Sequence, residues 1–224
     1  MRGKVWMSSM LNNYELGLKL GLRTKYFGEN WEPPQHVTDV PNAQTMDAIK
    51  RHAKGICLQR EELPEASAVF DEKCFAHTHD LFAVGGFYAV KGRLAEILSR
   101  FDLGEGGLIP FPIYEADLVT PNPGEFFLLN FGARKNSLLP EQCQDAQKWI
   151  VLRDSGQQLW KVNYLNEIGA VVLSPGALEG ADLWFEVASH NKIFMSNALA
   201  SALVEAGLAE DWRLVECKIV EAQS

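Results

Sequence analysis

Nowhere does this chain hold an apolar run approaching the roughly 20 residues that a membrane-spanning helix needs, so a helical membrane protein is not expected. Its opening stretch, Met1 to Leu11, pairs Arg2 and Lys4 with only a brief apolar run that Ser8 and Ser9 interrupt. That is too short for a secretory signal, and a cytoplasmic location is the expectation. Cysteine is sparse: Cys57, Cys74, Cys143 and Cys217 lie far apart with no CxxC spacing, which argues against a disulfide framework. Basic residues are outnumbered, 21 Lys and Arg against 29 Asp and Glu, for a net charge of −8. Nucleic-acid binding rests on Lys and Arg neutralising phosphates, so a nucleic-acid partner is not expected and a basic protein is the better match. Internal repeats, low-complexity tracts and obvious linkers are missing too.

Catalytic signatures are equally thin. Leu173-Ser174-Pro175-Gly176 lacks the glycines that a GxSxG elbow needs for its strained turn and reads as a plain turn. Gly104-Glu105-Gly106-Gly107 follows a helix and carries a carboxylate, so it reads as a connecting loop rather than a phosphate cradle. The paired acids Glu61-Glu62 and Glu210-Asp211 are adjacent and share one solvated environment, whereas a general acid and base need different ones. The segment Cys74-Phe75-Ala76-His77-Thr78-His79-Asp80 is the strongest exception. Alternating histidines on a strand face one side and can share a metal with Asp80 or Cys74. His36, His52 and His190 lie in unrelated contexts and add no further ligand. The expectation is therefore no catalytic residue, no metal and no cofactor, with a metal-dependent enzyme built on His77 and His79 as the alternative.

What is present is core-forming material: 47% of the residues are hydrophobic, enough to fill one domain without a staple. Two glycines, Gly85 and Gly86, separate the apolar runs Leu81–Val84 and Phe87–Val90, and a helix from Lys91 to Phe101 follows with Leu94, Ile97, Leu98 and Phe101 inward and Gly104 just past its end. A helix over Ala43 to Lys54 is predicted to face the core with Met46, Ile49 and Ala53, and the acidic stretch from Glu61 to Asp71 reads as a surface loop or short helix. Leu108–Tyr114 with Glu125–Phe131, and Trp149–Leu152 with Leu159–Tyr164, read as hairpins. Asp182–Val187 reads as a strand, and Ser196 caps a helix from Asn197 to Ala206 that Gly207 ends. Trp212 to Val220 reads as a returning strand. Of the six tryptophans, Trp31, in a proline-rich loop, is expected to be the exposed one and the rest mostly core. Short helices among antiparallel-looking strands, without regular βα alternation, predict an α+β fold: a mixed, largely antiparallel sheet with short packing helices. Residues 1–224 are read as a single domain, with 1–80 as a candidate N-terminal subdomain.

Charge is unevenly spread along the chain. Residues 1–112 carry 13 basic and 14 acidic side chains, net −1, while residues 113–224 carry 8 and 15, net −7. Such a field steers cationic partners.

Several motifs together resemble an immunity family of bacterial polymorphic-toxin systems, immunity family eleven. They are Leu81-Phe82-Ala83-Val84-Gly85-Gly86-Phe87-Tyr88-Ala89-Val90 with its helix, Phe126-Phe127-Leu128-Leu129-Asn130, Val171-Val172-Leu173, Gly180-Ala181-Asp182-Leu183-Trp184, and Ile193-Phe194-Met195-Ser196 before the last helix. In order and spacing they are similar to the family over roughly residues 81–217, giving a family-like core over 81–220. The resemblance implies a protein that is not an enzyme. It binds a cognate toxin delivered between bacteria, often by type VI secretion, and neutralises it by occluding the active site. An acidic surface suits a toxin with a basic active-site cleft. The exposed acids and aromatics expected at the interface are Glu29, Trp31, Glu179, Asp182, Glu186, Glu210 and Asp211. A scaffold subunit of a larger assembly is the other alternative.

Overall fold

The computed structural model describes residues 3–17, 20–27, 42–153, 155–162, 168–190 and 192–220. In chain order its elements begin with β1 (Val5–Ser8), β2 (Leu22–Lys25), α1 (Ala43–His52), β3 (Ala66–Val69), α2 (Glu72–Phe75), β4 (Leu81–Val84) and β5 (Phe87–Lys91). Next come α3 (Gly92–Leu98), β6 (Gly107–Pro110), β7 (Ile113–Tyr114), β8 (Phe126–Asn130), β9 (Arg134–Lys135), β10 (Gln147–Val151) and β11 (Gln158–Lys161). The chain closes with β12 (Val172–Leu173), β13 (Leu183–Glu186), β14 (Ile193–Ser196), α4 (Asn197–Glu205), β15 (Leu214–Glu216) and β16 (Lys218–Ile219). Short helices among mixed, mostly antiparallel sheets make this an α+β fold. Among the described residues no helix is long and apolar enough to cross a membrane.

The chain divides into two compact units: Met1–Asn13, Phe101–Gly104 and Gly132–Ser224 form one, and Tyr14–Arg100 with Glu105–Phe131 the other. The first is built on a five-stranded sheet in the order β15-β1-β14-β13-β9. β1 is antiparallel to both β14 and β15, and β9 joins parallel to β13. Val5 and Met7, two residues apart, point into a core with Trp184, Phe194 and Leu173, as strand periodicity requires. Trp184 and Phe194 are directly opposite in register and their rings stack at 6.2 Å. Helix α4 is locally determined. Ser196 Oγ accepts from Leu199 N at 3.2 Å, Leu199, Ala200 and Leu203 are buried, and Gly207 takes φ of 72°. Leu208 N then bonds Leu203 O and Gly207 N bonds Val204 O, closing the helix with a Schellman pair. Replacing Ser196 by alanine leaves the Leu199 amide without its acceptor and is expected to cost about 1 kcal/mol, read from urea unfolding.

The expected strand over Trp212 to Val220 is corrected. Glu210–Trp212 is a 3-10 turn, Arg213 is left-handed at φ of 51°, and the remainder splits into two strands. β15 pairs with β1, whereas β16 runs parallel to β12. The turn is held tertiarily: Ser8 Oγ donates to Trp212 O at 2.5 Å, and the indole of Trp212 is fully buried.

In the second unit the antiparallel sheet β4-β5-β8-β6 lies alongside a three-stranded sheet, β2-β3-β7. Gly85 and Gly86, at φ of 55° and 86°, make the two-residue hairpin turn between β4 and β5. A Cβ on Gly85 would lie 2.6 Å from Tyr26 Oη, so glycine is required there for space as well as for conformation. Three expectations differ here. Ala66–Val69, in the acidic stretch read as surface, is the fully buried central strand of its sheet. The run is only four residues long and lies between Glu65 and Asp71, so its acidic flanks mask it in the sequence. The segment read as one strand over Leu108–Tyr114 is two: β6 pairs with β8, and β7 runs parallel to β3. Helix α1 buries Thr45, Ala48 and His52, and Met46 is exposed. Its orientation is set by His52, which packs among the rings of Phe87, Tyr88 and Phe131.

Candidate functional site

Of the acids expected on the surface, Glu186 is the clearest correction. It is only 2% exposed, at the end of β13. Its carboxylate accepts from Ser137 N at 2.9 Å, Leu138 N at 3.1 Å and Trp184 Nε1 at 3.0 Å, and from the Ser137 hydroxyl. A buried charge persists where donors replace water, and four donors converge here. Lys135 Nζ lies 3.5 Å from the Trp184 ring centroid and donates to Ala177 O and Ala181 O. Desolvation lowers the Lys135 pKa, and Glu186, followed by Asp182, Asp102 and Glu179, opposes that shift. Asp182 has a framework role: its Oδ2 accepts from Asp102 N at 3.0 Å, and its own N–H donates to Asp102 O at 2.7 Å. Glu179 is exposed.

Glu210 is exposed and Asp211 half-buried in the 3-10 turn, where Asn13 Nδ2 donates to the Asp211 carbonyl. Glu29 and Trp31 lie outside the described residues. The charge asymmetry between chain halves does not carry over to the folded units. The first unit holds 10 basic and 13 acidic residues, net −3, and the second 11 and 16, net −5. The sequence midpoint separates Glu115, Asp117 and Glu125 from the unit to which they belong.

That second unit contains a cleft of about 840 Å³. Its apolar floor includes Phe75 and Phe126, and four carboxylates line it: Glu72, Asp80, Glu115 and Glu125. Glu72 opens α2, while Glu115 and Glu125 flank the loop between β7 and β8, with Asn122 Nδ2 donating to Glu115 Oε1 at 2.8 Å. Asp80 accepts from Leu94 N at 3.2 Å in the first turn of α3. One cation, Lys91, shares the lining; its Nζ lies 5.6 Å from the Phe75 centroid, and desolvation lowers its pKa against the opposing pull of Asp80. The arrangement suits an entering lysine or arginine side chain, with carboxylates for the head and aromatic faces for the stem. The sequence offered no signal for it, because these acids come from separate segments.

The His77 and His79 expectation is also corrected in its geometry. Asp71 caps α2 through Cys74 N, His77 N bonds Cys74 O, and Thr78 N bonds Phe75 O, so the segment is a capped helical turn and not a strand. Local capping overrode the alternation that would have put both imidazoles on one face. Cys74, His77, Thr78 and His79 do line a common pocket of about 380 Å³. Among the described residues no three His, Cys, Asp or Glu side chains are grouped to hold a metal ion.

No family model matches the chain, and no curated protein matches it.

Proposed function

We propose that this protein is a bacterial immunity protein that acts by binding: it engages a cognate toxin delivered between cells, for instance by type VI secretion, and occludes its active site in the cytoplasm. The observation that carries the reading is the carboxylate-lined cleft, whose shape and charge suit basic side chains projecting from a toxin's catalytic groove. The sequence resemblance over residues 81–217 supports it independently. An acidic surface accelerates encounter with a basic partner and loses that advantage as salt screens it.

The reading expects a toxin gene immediately upstream, and the decisive experiment is co-expression with the toxin domain of such a gene, scoring growth rescue and co-purification; the lack of such a gene, or failure of both readouts, defeats the proposal. Replacing Glu115 and Glu125 together by lysine is expected to slow association at low salt by about tenfold or more. An association rate unchanged by that double substitution and by several hundred millimolar salt would remove the cleft from the mechanism.

A further inference from the structure

β10 has a character unlike the rest of this acidic chain. All five of its residues are exposed, with Trp149, Ile150 and Val151 at 54%, 52% and 52%, so Trp149 is not the core residue the sequence suggested. Its inner edge pairs with β11, whose far edge is occupied in turn: Trp160 N donates to Ala188 O and His190 N to Trp160 O. Among the described residues nothing pairs with the outer edge of β10. The segment from Gln147 to Lys161 carries Lys148, Arg153 and Lys161 against one acid, Asp154, so it is locally cationic in a chain of net charge −8.

The cations and aromatics alternate across the two strands. Lys148 Nζ lies 5.8 Å from the Trp160 centroid and Lys161 Nζ 5.6 Å from that of Trp149, whose other contact is a stacked His190 at 5.5 Å. Lys192 is 6% exposed. Desolvation, followed by the charge of Lys161, lowers its pKa; His190 is lowered by desolvation, then Lys192 and Lys161. Lys161, His190 and Lys192 thus share one electrostatic neighbourhood at the base of the hairpin. Edge strands use lysines and bulges to deter pairing, and β10 has both, with its register shift between Lys148 and Ile150. Deterrence does not account for three consecutive large apolar side chains left in water, since those favour association.

We propose that the outer edge of β10 docks an extended, carboxylate-bearing segment of a partner protein, added as a third strand. Main-chain hydrogen bonds supply the pairing, Lys148, Arg153 and Lys161 read the carboxylates, and Trp149 is the apolar anchor. This surface is opposite in charge to the cleft and separate from the toxin-occluding reading.

The test uses the full-length protein and a short fluorescein-labelled peptide alternating glutamate and valine, with a lysine–valine peptide and oligothymidylate as comparators, followed by fluorescence anisotropy. The glutamate peptide is expected to bind more tightly than the lysine peptide. Trp149→Ala, and separately Lys148→Glu with Lys161→Glu, should each weaken it about tenfold or more. Both variants change exposed side chains, and circular dichroism verifies their fold. Equal affinity for the two peptides, or binding indifferent to Trp149→Ala, overturns the proposal. Tighter capture of oligothymidylate also overturns it by making the strand a nucleic-acid surface. So does a dimer in sedimentation that Trp149→Ala abolishes, which makes a second copy the occupant.

Discussion

Replacing Glu186 by alanine is expected to lower the unfolding free energy by about 3–5 kcal/mol, the range for removing one partner from a buried charged network. The loss strips acceptors from Ser137 N, Leu138 N, the Ser137 hydroxyl and Trp184 Nε1 together. It also leaves Lys135, already partly desolvated, without the largest of its opposing charges. Glutamine keeps the shape and one carbonyl acceptor but turns an amide toward those donors, so Glu186→Gln should cost about half as much. Urea unfolding followed by tryptophan fluorescence measures both, because Trp6, Trp149, Trp160, Trp184 and Trp212 all belong to the unit that contains Glu186. An alanine variant within about 1 kcal/mol of the parent would show that the network is not stabilising.

The second large effect belongs to His52. Its imidazole is 1% exposed, with ring centroids of Phe131 and Phe87 at 4.8 and 5.0 Å, and neither nitrogen has a hydrogen-bond partner. Burial pushes its pKa down to about 3, against about 6.5 in an unfolded chain. Below the unfolded value the unfolded state takes up a proton that the folded state refuses. Stability is therefore full above about pH 6.5 and falls by about 1.4 kcal/mol per pH unit until the folded value is reached. Between pH 7 and pH 5 the loss amounts to about 2 kcal/mol. His52→Leu should abolish that component and raise stability at pH 7 by about 1–2 kcal/mol, since two orphaned nitrogens disappear. Urea titrations by far-UV circular dichroism at both pH values supply the test. His190, whose pKa is also lowered, adds the same slope to both proteins, so the difference isolates His52. Equal pH dependence in parent and variant would refute the assignment.

These two residues mark where sequence reading loses its hold. Glu186 reads as a surface contact when charge alone decides exposure, yet it is buried. The period of two along β13 nonetheless puts it on the same face as the buried Trp184. His52 sits at helical spacing from the buried Thr45 and Ala48, a stripe that the sequence hides because histidine and threonine do not read as core whereas Met46, Ile49 and Ala53 do.

What the sequence by itself determined is whatever depends on near neighbours. The Gly85-Gly86 hairpin, the Ser196 cap and Gly207 stop of α4, and the β10–β11 pair each follow from dihedral freedom, one hydrogen-bonding side chain or alternation over a few residues. From these the α+β class followed. Only the tertiary structure decided which segments share a sheet, because β12 finds β16, and β3 finds β7, across long stretches of chain. It likewise decided where charge accumulates. Glu72, Asp80, Glu115 and Glu125 meet at one cleft although no local pattern links them, since proximity between distant segments is fixed by packing of the core and not by any spacing along the chain.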